Sequence, residues 1–128
     1  MRELLLDTHV LLWWLANDRR LGPETRALIA KPAIPVHVSA ATAWEIAVKR
    51  ANGKLDAPGD IAGWIAAEGF HELPLSVAHA VESASLPWHH RDPFDRLLIA
   101  QARLEELTLV ARDDHIDRYD VLLVDASS

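Results

Sequence analysis

Short apolar runs of strand length alternate along this chain with longer segments of helical composition. The runs are "ELLLD" (Glu3–Asp7), "PVHVSA" (Pro35–Ala40), and "LTLVARD" and "DVLLVD" in the last quarter; "HELPL" is a short, ambiguous addition. Because each run is apolar along its whole length, both faces of the sheet must be covered, which is typical of parallel strands joined by helices. We therefore predict an α/β fold, with a central, mainly parallel sheet between two helical layers.

Proline, glycine and capping residues indicate where the intervening helices begin and end. Pro23 suits the first turn of one helix, and Gly53 tolerates the left-handed conformation found just past the end of another. Ser76 can cap a third helix, and Asp92 can cap a fourth in which Pro93 takes the favoured first position. Together these signals predict helices between the strands as far as "LTLVARD", after which "DVLLVD" closes the chain as a further strand, and no linker divides the chain.

Length and composition limit the class of protein. The 128 residues suit one domain spanning positions 1–128, and the absence of cysteine excludes disulfides and thiolate metal sites, which fits a cytoplasmic protein. The formal net charge of -6 argues against binding nucleic acid through bulk positive charge. Glu3 and Asp7 interrupt the apolar N-terminus, so we expect neither a signal peptide nor a membrane partner.

Four acidic residues, far apart in sequence, fall where strands end or the following helices begin. Asp7 ends the first strand, Glu45 lies early in the helix after the second, Asp95 is in a first helical turn, and Asp113 ends "LTLVARD". In an open parallel sheet these junctions lie along one edge, where ligand sites form. We therefore expect the four carboxylates to converge in one cleft.

Each acid taken alone also fits a structural role. Asp7 can cap the first helix, and Asp95 can favour the positive end of its helix dipole, an effect worth roughly 0.3–1 kcal/mol. Glu45 could be a solvated helix residue, and Asp113 lies in an acidic segment of the kind that is usually hydrated surface. The evidence for function is therefore the joint placement of the four.

Converging carboxylates need a compensating charge. Two carboxylates 4 Å apart repel by about 4 kcal/mol at an effective dielectric near 20, so the cleft requires protonation or a cation. All-oxygen ligation suits Mg²⁺ or Mn²⁺, ions that can activate water and stabilise a leaving oxygen in phosphodiester hydrolysis. We assign Asp7 and Asp95 as direct metal ligands, with Glu45 and Asp113 completing the site or orienting water.

Four stretches, in this order and spacing, resemble the PIN-domain ribonucleases: "LLLDTHVLLWWL", "SAATAWEIAVKR", "DPFDRLLIAQA" and "LVARDD". The resemblance covers nearly the whole chain and is greatest to the toxins of VapBC-type toxin–antitoxin pairs. It implies a PIN-like three-layer α/β/α fold and Mg²⁺- or Mn²⁺-dependent endonucleolytic cleavage of RNA. It also implies homodimerisation and inhibition by an antitoxin whose tail occupies the site. The acidic positions of the family correspond to Asp7, Glu45, Asp95 and Asp113.

The sequence departs from the family pattern at one position near the fourth acid. Many members have Thr or Ser two residues before that acid, where this chain has Ala111. Loss of a hydroxyl that supports the ligands could lower metal affinity, unless Thr8, Ser39 or Thr42 replaces it. Asp114 could share the role of Asp113.

Basic, histidine and tryptophan residues near the junctions have two interpretations each. Arg91, Arg96 and Arg112 could hold RNA phosphates or form helix-surface ion pairs. The spacing of the histidines matches no zinc site, so a mixed His/Asp di-metal centre is disfavoured. Trp13 and Trp14 are adjacent in one predicted helix, so we expect one of them to contact another subunit or the antitoxin.

Other functions fit the pattern less well. A phosphoacceptor receiver domain needs a lysine at a late strand end, and none follows Lys54. A phosphatase with an aspartyl nucleophile needs an acid two residues after the first, where this chain has His9. A PIN-like nuclease outside a toxin–antitoxin pair, or a catalytically weak PIN-like binding module, stays open, although retention of the four acids disfavours the latter.

Overall fold

The structure is a computed structural model that describes residues 3–88, 92–112 and 122–128. In these residues five strands alternate with six helices. In chain order they are β1 Leu4–Leu6, α1 Thr8–Ala16, α2 Pro23–Ile29, β2 Val36–Ser39, α3 Ala40–Ala51, α4 Ile61–Ala67, β3 His71–Leu73, α5 Val77–Ser85, α6 Pro93–Leu104, β4 Thr108–Ala111 and β5 Leu123–Asp125.

The five strands form one parallel sheet in the order β3-β2-β1-β4-β5. This confirms the predicted α/β class, and it shows that the ambiguous "HELPL" contributes the edge strand β3. The chain adds β2 and β3 on one side of β1 and then crosses to add β4 and β5 on the other. The point where strand order reverses, between β1 and β4, is where open α/β sheets bind ligands.

Side chains of β1 alternate between two apolar cores, one on each face of the sheet. Leu4 and Leu6 pack with residues of α1, α2, α3 and α4, including Leu11. Leu5 packs on the opposite face with residues of α6, including Ile99. All three leucines of β1 are fully buried, as expected for a strand covered by helices on both sides.

Polar caps start the helices at the carboxyl edge of the sheet. The Asp7 carboxylate accepts a hydrogen bond from Val10 N at 2.8 Å, and the Ser39 hydroxyl accepts one from Ala41 N at 2.9 Å. Asp92 caps α6, with Pro93 in the first position as predicted. These caps orient the first turns of three helices toward the edge where β1 and β2 end.

Both adjacent tryptophans of α1 contact other parts of this chain, and the expectation that one of them meets another subunit or the antitoxin stays a prediction. Trp13 is 7% exposed in the core. The Trp14 ring is 6.0 Å from the Phe70 ring, and its indole N–H donates to Glu68 at 3.2 Å. The segment between α4 and β3 therefore covers Trp14. Within the described ranges, no helix is long and apolar enough to span a membrane.

Candidate active site

Asp7 lies at the centre of the carboxyl edge of the sheet. It directly follows β1, the middle strand, and its backbone N–H donates to Val110 O in β4 at 3.0 Å. The neighbouring strand β2 ends at Ser39, which is 1% exposed, and Asp7 itself is 3% exposed. The side chain therefore lies in a narrow, largely dehydrated position at the point of strand reversal.

Burial, together with the smaller effects of the charges of Asp95 and Glu45, raises the pKa of Asp7 to about 7. The hydrogen bond from Val10 N and the nearby positive charge of Arg112 oppose this rise. These interactions show that the described residues bring together three of the four predicted acids. A metal ion would favour the charged form of Asp7, since an adjacent cation lowers a carboxyl pKa.

Glu45 reaches the same cleft from the first half of α3 and is held at both oxygens. Its Oε1 accepts a hydrogen bond from the Thr8 hydroxyl at 2.6 Å, and that hydroxyl also lies 3.3 Å from Thr42 Oγ1. Its Oε2 accepts from Lys49 Nζ at 2.5 Å, one helical turn later. Thr8 therefore has a contact that supports the acids, whereas Ser39 caps α3 and its role toward a metal stays a prediction.

The two aspartates at the start of α6 have different positions. Asp92 is the cap residue, and its Oδ1 accepts from Phe94 N at 2.9 Å and from Asp95 N at 3.4 Å. Asp95 is in the first turn, partly exposed, and close enough to Asp7 for its charge to raise the pKa of Asp7. The cap is thus Asp92, and Asp95 is the acid that acts on the cleft.

Several predicted site residues fall beyond the described part of the chain. Asp113, Asp114 and Arg91 lie outside the described residues, so their assigned roles stay predictions. Arg112 directly follows β4 and is exposed. Its guanidinium carbon lies 5.9 Å from the Trp13 ring centroid. Its charge also lowers the pKa of Asp7, which places it beside the cleft.

Arg96 was expected to hold RNA phosphate or to form a helix-surface ion pair, and in the structure its guanidinium is buried against backbone carbonyl groups. The residue is 4% exposed, and its guanidinium donates to the carbonyl oxygens of Ser83, Leu86 and Pro87 at 2.7, 2.8 and 2.9 Å. Its guanidinium carbon also lies 3.8 Å from the Trp88 ring centroid. Arg96 therefore connects α6 to the end of α5.

An aromatic pair borders the acidic cleft. Trp44 precedes Glu45 on α3, Phe94 precedes Asp95 on α6, and their ring centroids are 4.9 Å apart in an edge-to-face arrangement. Trp44 is 54% exposed. Sequence reasoning missed this pair, although the placement of one aromatic residue directly before each acid was a usable signal.

The described residues alone do not form a complete metal site. In residues 3–88, 92–112 and 122–128, no group of three or more histidine, aspartate and glutamate side chains is arranged to hold a metal ion. Mg²⁺ typically takes only one or two protein carboxylates directly and keeps several waters. A buried Asp7 with a raised pKa beside two further acids fits that ion, because an adjacent cation would favour the charged form of Asp7.

We expect Asp7→Asn to stabilise the metal-free protein at pH 8 by about 1–4 kcal/mol, since one pKa unit corresponds to about 1.4 kcal/mol. The folded-state pKa lies above the unfolded value, so the folded protein binds the proton more tightly. Stability is therefore lost as pH rises from about 4 to about 7. Asparagine keeps the helix cap and removes this penalty. Urea unfolding in chelator at pH 5 and pH 8 measures the effect.

The control for this stability prediction is Asp18→Asn. The Arg20 guanidinium holds the pKa of Asp18 at about 2, so removing that charge is expected to lower stability at neutral pH. A metal-free Asp7→Asn protein no more stable than wild type at pH 8 would show that burial does not penalise the charged form of Asp7.

Comparisons with known proteins identify relatives of the fold. A family model described as "PIN domain" matches residues 4–122. Curated protein sequences give no match.

Three solved structures similar to this chain cover nearly its whole length. A toxin–antitoxin complex from Klebsiella pneumoniae aligns with a TM-score of 0.67 and 18% identity over 97% of this chain and 98% of that one. VapBC2 from Rickettsia felis, bound to a DNA fragment from its promoter, aligns with a TM-score of 0.71 and 15% identity over 95% and 97%. FitAcB from Neisseria gonorrhoeae aligns with a TM-score of 0.63 and 22% identity over 96% and 97%.

Proposed function

The chain belongs to the PIN domain family, and from this membership we propose that it is a Mg²⁺- or Mn²⁺-dependent endoribonuclease, the toxin of a type II toxin–antitoxin pair. The observation that carries the proposal is that Asp7 is buried at the carboxyl edge of the sheet, where the charges of Glu45 and Asp95 act on it. A buried carboxyl with a raised pKa beside other acids is typical of functional sites.

In the proposed mechanism Asp7 and Asp95 would hold the ion, and Glu45, fixed by Thr8, would complete the site or orient water at the cleft. The bound ion supplies Lewis acidity, which favours attack on a phosphodiester and stabilises charge on the leaving oxygen. Arg112 lies beside Asp7 and can bind the phosphate on either side of the scissile bond. We assign Asp113, with Asp114 as the alternative, as the remaining acid of this site.

The aromatic pair supports an unpaired RNA strand as the substrate. Sequence-specific RNA recognition mostly targets single-stranded segments, whose bases stack on aromatic side chains. Trp44 offers an exposed ring directly beside Glu45, with Phe94 packed against it. Because the protein carries a formal charge of -6, phosphate binding would depend on local cations such as the metal ion and Arg112.

We propose a cognate antitoxin as the protein partner, a homodimer as the assembly and the cytoplasm as the place of action. The similar structure from Klebsiella pneumoniae is a toxin–antitoxin complex, and the one from Rickettsia felis is VapBC2 bound to promoter DNA, which supports an antitoxin here. Val77 and Val81, one turn apart on α5, are 81% and 65% exposed and form an apolar surface suited to contact with another chain.

The proposal is tested with purified protein, a single-stranded RNA and a DNA of the same sequence. We expect endonucleolytic cleavage of the RNA with Mg²⁺ or Mn²⁺, no cleavage in excess chelator, and recovery when the ion is restored, because the acids alone cannot neutralise the developing charge. Cleavage that persists in chelator would contradict the metal-dependent mechanism. Absence of cleavage under every metal condition would favour a binding module.

The toxin role is tested separately, by expression in cells with and without the protein encoded by the neighbouring reading frame. We expect growth arrest only when that second protein is absent. A harmless chain that still cleaves RNA in vitro would be a PIN nuclease outside a toxin–antitoxin pair.

A further inference from the structure

We propose that Lys49 is a tethered counter-ion that competes with a divalent metal ion at Glu45 and so sets the metal concentration at which the site fills. This inference rests on the proposed function, because it requires that a metal ion bind among the acids. It concerns a residue to which the acidic pattern assigns no role.

Both carboxylate oxygens of Glu45 are already engaged by donors from this chain. Oε1 accepts from the Thr8 hydroxyl at 2.6 Å, and Oε2 accepts from Lys49 Nζ at 2.5 Å. The Thr8 contact is neutral and can remain when a metal binds. The Lys49 contact places a positive charge where a metal ion would meet Oε2, so one cation must leave before the other can approach that oxygen.

Burial distinguishes this pair from an ordinary helix-surface pair. Glu and Lys spaced i,i+4 on an exposed helix contribute little, because water solvates each charge when the other is absent. The Glu45 side chain is only 4% exposed, whereas that of Lys49 is 39% exposed. The carboxylate therefore needs a cation inside the cleft, while the lysine can swing its ammonium group toward solvent on its flexible stem.

The negative charges of other acids around the cleft also favour the position of the Lys49 ammonium group. The hydrogen bond to Glu45 raises the pKa of Lys49, as do the charges of Glu45, Asp92 and Asp95. Lys49 thus stays positively charged at neutral pH and faces acids from both α3 and α6. A divalent ion near Asp7 and Asp95 would repel this ammonium, and the repulsion would lower the affinity for metal.

The test measures Mn²⁺ binding by electron paramagnetic resonance on chelator-treated protein without RNA. We expect Lys49→Met to bind Mn²⁺ at least about tenfold more tightly than wild type, because it removes a nearby positive charge and leaves Glu45 without a counter-ion. Lys49→Arg, the charge-conserving control, should stay within about threefold of wild type. In a Glu45→Gln background the effect of Lys49→Met should fall below about threefold, since the two residues then no longer act as a pair.

A second measurement uses the wild-type protein and does not depend on a variant that folds. The chain has three lysines, Lys31, Lys49 and Lys54, so the ammonium nitrogen signals can be resolved by NMR. Saturating Mg²⁺ is expected to shift the Lys49 signal and speed its hydrogen exchange with water, with Lys31 and Lys54 unchanged. An unchanged Lys49 signal under saturation, or equal Mn²⁺ affinity in Lys49→Met and wild type, would overturn the inference. Absence of metal binding in every variant would instead overturn the proposed metal-dependent nuclease.

Discussion

Asp95→Asn is expected to lower metal-dependent RNA cleavage by about a thousandfold while leaving the fold intact. The substitution keeps the size and the polar character of the side chain but removes the charge that faces Asp7. A metal ion acting as a Lewis acid is worth several kcal/mol, and about 4 kcal/mol corresponds to a thousandfold in rate. Single-turnover cleavage with saturating Mg²⁺ measures the loss, and urea unfolding checks that stability is unchanged within about 1 kcal/mol.

The matched control is Asp92→Asn, three residues earlier on the same helix. Asp92 Oδ1 accepts the hydrogen bonds from Phe94 N and Asp95 N that start α6, and an asparagine oxygen can accept the same bonds. We therefore expect cleavage within about fivefold of wild type for Asp92→Asn, because Asn and Asp are nearly equal as helix caps. Equal losses in the two variants, or full activity in Asp95→Asn, would show that the two acids do not divide into a cap and a metal ligand.

Features predicted correctly from the sequence depend on local pattern. The strand β1 is recognisable because it is apolar on both faces, and the positions of Asp92 at the cap and Asp95 in the first turn follow from where a capped helix must begin. The convergence of Asp7, Glu45 and Asp95 follows from the geometry of any parallel sheet, which brings the ends of its strands to one edge. Only the β3 strand is ambiguous, because His71 and Glu72 are exposed at the sheet edge and lack an apolar pattern.

Features that the sequence did not predict depend on packing between distant segments. The i,i+4 spacing of Glu45 and Lys49 is visible in the sequence, but their pairing inside the cleft depends on Thr8, which lies 37 residues before Glu45 and fixes the other carboxylate oxygen. Trp14 is covered by Phe70, more than 50 residues later, so its burial could not be inferred from α1 alone. The sequence thus shows which charged residues are spaced to pair, and tertiary packing decides which groups each of them contacts.

Arg96 illustrates this limit, since it lies next to Asp95 in the sequence but contacts the end of α5. Its guanidinium donates to three carbonyl oxygens, those of Ser83 in the last turn of α5 and of Leu86 and Pro87 just after it. Carbonyl groups at a helix end have no partner within the helix, so a planar group with five N–H donors can satisfy several of them together. Arg96 is therefore a positioning residue, which holds the end of α5 against the first turn of α6 that carries Asp95.

Arg96→Met is expected to lower the free energy of unfolding by about 3–5 kcal/mol, because it removes a buried charged donor and leaves several carbonyl groups without partners. Arg96→Lys should lose about 2 kcal/mol, since one ammonium cannot reach all three carbonyls. Arg103→Met on the same helix is the control: Arg103 makes a longer 3.8 Å ion pair with Glu82 and is partly exposed, so its loss should cost less than about 1 kcal/mol. Urea unfolding of the three variants in chelator decides between these values. An Arg96→Met protein as stable as Arg103→Met would mean that the carbonyl contacts contribute no more than a surface pair, and that another part of the chain fixes the start of α6.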